Sequence, residues 1–86
     1  TFYTNDLVLQ VAYNAKQYEL LARIFEYRIT LDPQNGQLRT SYAYVLEESG
    51  QRERAIEVLT KAGEEIPSLK AQADGFIGEL RAKKTP

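Results

Sequence analysis

The feature that most constrains this chain is a self-similarity at a spacing of 34 residues. Adding 34 to each number carries Leu21 onto Ala55, Phe25 onto Leu59 and Pro33 onto Pro67. The same shift carries Tyr42 onto Phe76, Ala43 onto Ile77 and Leu46 onto Leu80. A fixed period of this length, built from paired amphipathic helices, marks a stacked helical repeat in which neighbouring units bury one another's apolar faces. The clearest copy runs from Gly36 to Pro67, two short amphipathic segments joined at Ser49-Gly50-Gln51 and closed by the proline.

Taken in order, the apolar spacing predicts five helices. Leu7, Val8, Val11, Ala12 and Ala15 recur at steps of three and four, giving a helix from Asp6 to about Ala15. Thr4 or Asn5 can cap it, and Asp6 suits the positive end of its dipole. After a glycine-free turn at Lys16-Gln17, Tyr18 to Leu31 is apolar over a wide arc, as in a helix packed between two neighbours. Asp32-Pro33-Gln34-Asn35-Gly36 ends it, and an Asn-Gly pair readily takes positive φ. The third helix is read as Leu38 to Glu48, stopped at Gly50, and the fourth as Arg52 to about Glu64, with Gly63 weakening its last turn. Ser68 is the expected cap of a fifth helix running to Lys84, whose stripe is Leu69, Ala73, Phe76, Ile77 and Leu80. Gly75 and Gly78 inside it suit either a close helix contact or a tail that orders only when packed.

Composition removes whole classes of function. The 86 residues contain no cysteine and no histidine, so there is no disulfide framework, no thiolate nucleophile and neither of the commonest transition-metal ligands. The formal net charge of −1, with acids and bases interspersed, offers no field for nucleic acid or an anionic membrane. No apolar run approaches the roughly 20 residues that span a bilayer, so direct membrane insertion is not expected, and no signal peptide is visible. Ser41 and Ser49 have no histidine base, and the adjacent acids Glu47-Glu48 and Glu64-Glu65 diverge by about 100° on a helix. No glycine-rich phosphate loop or calcium loop is present. The expectation is a non-catalytic chain without cofactor or metal. It opens on Thr1 rather than methionine and is read as a piece of a longer protein.

The residues resemble the tetratricopeptide repeat family. The family pattern appears here as Arg39, Tyr42-Ala43, Leu46, Gly50, Ala55, Leu59, Ala62 and Pro67. Small Ala43 and Ala55 would let two helices cross closely while Tyr42, Leu46 and Leu59 fill the space beside them. The stretch 2–35 is similar but degenerate: Leu9 and Leu21 replace small residues, Lys16 replaces the turn glycine and Arg28 replaces a small inward residue. The resemblance implies a single all-α domain across 1–86, a right-handed superhelical stack of antiparallel helix hairpins. Its parts are a first repeat at 2–35, a second at 36–68 and a capping helix at 69–84.

In that family the first helix of each pair lines a concave face that binds protein segments. By resemblance the face is lined here by Tyr3, Asp6, Gln10, Tyr13 and Asn14 from the first repeat. Gln37, Thr40, Ser41, Tyr44, Glu47 and Glu48 follow from the second, then Asp74 and Arg81 from the cap. Some members grip a peptide's terminal carboxylate with basic and amide side chains. Asp6, Gln10, Thr40 and Tyr44 stand at those places, so the implied ligand is a neutral or basic peptide rather than an acidic tail. Tyr13 and Tyr44 are the expected anchors, each pairing apolar area with one hydroxyl, although both also read as plain packing or solvated surface. Two alternatives remain at this stage. The chain can be a structural or docking segment of a longer array, or it can self-associate through the N-terminal face where an earlier repeat would stack. A loose similarity of texture to soluble C-terminal repeat segments of bacterial membrane proteins, polysaccharide polymerases and ligases among them, belongs with the first.

Overall fold

The computed structural model describes residues 1–83. They form five α-helices and, among the described residues, no strand: α1 Asp6–Asn14, α2 Tyr18–Leu31, α3 Gly36–Glu48, α4 Arg52–Glu65 and α5 Lys70–Ala82. Short 3₁₀ turns at Phe2–Thr4 and Pro67–Leu69 precede α1 and α5. No described helix is long and apolar enough to cross a membrane.

The period seen in the sequence recurs in the backbone. Adding 34 carries α2 onto α4 and α3 onto α5, end to end. It also carries the corner bonds onto one another. Lys16 N–H donates to the Tyr13 carbonyl and Gln17 N–H to that of Ala12; Gly50 N–H donates to Glu47 and Gln51 N–H to Leu46. These paired bonds close a helix through one left-handed residue, which is Gly50 at φ 84 in one corner and Lys16 at φ 56 in the other. The Pro corners correspond as well: Asp32 N–H reaches the Arg28 carbonyl as Ile66 N–H reaches that of Ala62.

Each helix packs chiefly on its neighbours in sequence, α1 on α2, α2 on α3, α3 on α4 and α4 on α5. The extents of 35, 33 and 14 Å leave room for two helix layers and no more. Leu21, Ile24, Leu46, Leu59 and Leu80 are the largest fully buried side chains, with Ala43 and Ala55 wholly covered in the same cluster and Ala62 covered in a second one with Ile66 and Leu69. The Phe25 and Tyr42 rings stack at 6.0 Å across the α2–α3 contact. The α1–α2 contact is thinner than α3–α4. Leu9 and Leu21 stand at α1–α2 where α3–α4 has Ala43 and Ala55, and α1 is the shorter helix, nine residues against thirteen in α3.

Several local expectations need correction. Asn35-Gly36 takes no positive φ: the Asn35 side chain caps α3 by accepting from Gln37 and Leu38 N–H, and Gly36 is already helical. Ser68 does not cap α5, which starts two residues later with no side-chain cap. The repeat register places Leu69, not Ser68, in the seat of Asn35, and Leu69 buries its side chain against Ala62 and Ile66 instead of capping. The capping helix ends at Ala82, and the expected extension to Lys84 lies outside the described residues. α4 runs through Gly63 to Glu65, one residue past the expected end. Gly63 is buried, and a Cβ there would stand 3.4 Å from the Lys70 Cα. Gly75 and Gly78 mark no close contact, since a Cβ at either would meet nothing within 4 Å. Arg28 does not simply spoil a small site. Its Nε donates to the Tyr3 carbonyl at 2.9 Å and its Nη1 to Asp6 Oδ1 at 2.9 Å, tying the N-terminal turn to α2.

Candidate functional site

α1 and α3 flank a cleft of about 380 Å³ whose floor is α2. Side chains one helical turn apart share a face, so Leu9 and Tyr13 form one wall and Thr40, Ser41, Tyr44 and Val45 the other, over Leu21 and Phe25. Its size lies near the low end of ligand pockets, enough for one or two side chains of a partner. Tyr44 is half exposed and Tyr13 40% exposed, so both rings stand at the rim. The Tyr13 hydroxyl donates to Glu48 Oε1 at 2.9 Å, bridging α1 to α3 at one end of the cleft. That hydrogen bond, followed by desolvation and the carboxylate's charge, pushes the Tyr13 hydroxyl pKa up to about 12.

On the other side of α3 a second cleft, about 410 Å³, is lined by Gly36, Gln37, Thr40, Ser41, Leu69 and Gln72. Thr40 and Ser41 border both, making α3 the ridge between them. A third cleft, about 360 Å³, opens on the opposite face between α2 and α4. There Tyr42 donates to Glu26 Oε2 at 2.7 Å, and Arg54 Nη2 donates to both Glu26 and the Tyr42 oxygen at 2.9 Å. Burial and the Glu26 carboxylate drive the Tyr42 hydroxyl pKa well above the ordinary tyrosine range. Arg39, 5% exposed, donates through Nη2 to the Pro33 carbonyl and pairs with Glu65 at 2.7 Å, clamping the corner before α3 to the end of α4.

The structure gathers some of the expected site residues and disperses others. Tyr13, Thr40, Ser41 and Tyr44 meet in the α1–α3 cleft, Glu48 closes its end, and Gln37 lies in the neighbouring cleft. Tyr3 is a brace rather than a wall: its ring packs 5.6 Å from that of Tyr27 and its carbonyl holds Arg28. Gln10 and Asn14 are exposed on α1 outside the cleft lining. Asp6 is paired with Arg28, Glu47 with Lys83 at 3.0 Å, and Asp74 with Lys70 at 3.0 Å. Asp74 lies about 200° and Arg81 about 180° around α5 from Gln72, away from the cleft. Gln72 of α5 borders a cleft with α3, and Lys83, just past the end of α5, reaches Glu47 of α3. The apolar lining residues Leu9, Leu21, Phe25 and Val45 were legible only as core or as departures from the family pattern. Leu9 and Leu21, which stand where the second repeat has Ala43 and Ala55, were themselves such departures, and both line the cleft.

Compared with family models, with curated proteins and with solved structures, the chain matches none.

Proposed function

We propose that this chain is a non-catalytic protein-interaction module of tetratricopeptide type, a superhelical stack of helix hairpins that takes an extended peptide segment in the cleft between α1 and α3. The observation that carries the reading is that cleft itself: an apolar floor with two tyrosines at its rim, on the face that α1 and α3 share. The 34-residue correspondence of helix bounds and corner bonds supports the repeat assignment. Tyrosine rims suit a peptide because they bring large contact area with few rotatable bonds. The area is small and ordering the peptide costs entropy, so affinity of about 1–100 µM is expected, roughly −5 to −8 kcal/mol. The test screens a peptide library against the wild-type chain and against Tyr44→Ala, after melts show that the variant folds. Ligands lost from the folded variant support the reading. Equal binding by both, or no binders, refutes it in favour of a scaffold.

One observation favours a second reading. Phe2, Leu7 and Val11 are more than half exposed, and with Val8, Ala12, Ala15 and Leu20 they line an apolar cleft of about 340 Å³ on the outer side of α1. In the repeat register Val8 and Val11 correspond to Tyr42 and Val45, which α2 covers. This face is therefore a docking or self-association surface in a larger array.

A further inference from the structure

Resting on the groove reading above, we infer that the ligand of the α1–α3 cleft is an extended segment carrying an apolar side chain and, two positions from it, an arginine or lysine. The ion pairs decide which acid is left to meet a ligand. Asp6 is neutralised by Arg28, Glu47 by Lys83, and Asp74 by Lys70 on a different face of α5. Glu48 is exposed and has no ion pair among the described residues. Its Oε1 accepts one hydrogen bond, from Tyr13. An ionised carboxylate offers about four acceptor positions, so a cation can bind Glu48 without breaking the Tyr13 bridge.

The spacing follows from two geometries. Glu48 lies one turn beyond Tyr44 on α3, about 6 Å along the helix axis. In an extended chain, side chains two apart point the same way and are separated by about 6.6 Å. A side chain seated against the Tyr44 ring, on a segment running along α3, therefore puts the residue two positions away beside Glu48. Arginine fits best, because its planar fork pairs with a carboxylate through two hydrogen bonds. The floor residues Leu21 and Phe25 favour an apolar side chain, and the Glu48 carboxylate at the cleft end disfavours an acidic tail.

The experiment measures binding of three labelled glycine-serine peptides by fluorescence anisotropy at low salt. One carries phenylalanine alone, one Phe-Ser-Arg and one Arg-Ser-Phe. In the wild-type chain one arginine order should bind about three- to fivefold more tightly than the phenylalanine peptide, the measure of a solvent-exposed ion pair. In Glu48→Gln, which keeps an acceptor for Tyr13, that ratio should fall to about one, as it should in the wild type at high salt. A ratio near one in the wild type, or an unchanged ratio in Glu48→Gln, overturns the charge assignment while leaving the groove reading in place. Failure of the phenylalanine peptide to bind the wild type removes both.

Discussion

The glycines offer the sharpest test of the packing, because one substitution should change sign with position. Gly75 and Gly78 lie inside α5 where an added Cβ would touch nothing within 4 Å. Alanine is favoured over glycine by about 1 kcal/mol in a helix interior. Gly78 is one turn from the end of α5, where fraying should halve the gain, so Gly75→Ala and Gly78→Ala together should add about 1.5 kcal/mol. For a domain of this size that is a rise of about 6–12 °C in Tm. Gly50→Ala faces equally open space, yet its φ of 84 strains an L-residue and should cost about 1 kcal/mol. Gly36→Ala would set a Cβ 3.1 Å from Leu69 Cδ1, so the tip of that leucine must shift by a few tenths of an ångström and the gain should fall below that at Gly75. Thermal melts followed by far-ultraviolet circular dichroism read all four variants. A drop in Tm for Gly75→Ala or Gly78→Ala would show that α5 packs against something at those positions and would refute the description of its open face.

Ala43→Leu and Ala55→Leu, both at fully covered sites, should overpack the α3–α4 crossing and each cost about 1–3 kcal/mol in denaturant melts. Ala82→Leu, exposed at the end of α5, should cost almost nothing by the same measure. Tyr13 holds its proton until about pH 12 and Tyr42 is shifted the same way, whereas an unfolded tyrosine titrates near 10. The folded state thus binds more protons, so stability should fall as pH rises from about 10 toward 12, and Tyr42→Phe should flatten that fall in equilibrium unfolding. Leu7→Lys should abolish concentration-dependent association in sedimentation, because Leu7 is 67% exposed on the apolar outer face of α1.

The helices were legible because their apolar residues recur with helical spacing, and α2 was placed to the residue at both ends. Boundaries failed where tertiary contact outweighed local chemistry. Ser68 is the better capping residue by its side chain, but the Pro corner repeats with a fixed register and Leu69 gains more by burial than a cap would supply. The candidate cleft was half legible. Tyr13 and Tyr44 came from the family resemblance, whereas the loss of Asp6 and Glu47 to ion pairs depends on partners 22 and 36 residues away; the Lys70–Asp74 pair, four apart, lies within ordinary helical spacing. A sequence shows that charges exist; it does not show which ones the fold has already spent.

The thin anchorage of α1 bears on how tightly the cleft can hold anything. Ala12 is the one residue of α1 that is buried, whereas α3 buries five. Opening of α1 away from the rest therefore costs less than opening of α3, and it dissolves one wall of the cleft with Leu9 and Tyr13. For the peptide proposed above, only the fraction of molecules with α1 seated would be competent, so apparent affinity would be the intrinsic affinity reduced by that fraction. By the same linkage, a ligand lying across α1 and α3 stabilises the seating of α1. Whatever covers Leu7 and Val11 from outside would press the same helix inward. Two surfaces that share no residue are in this way coupled through the docking of a nine-residue helix.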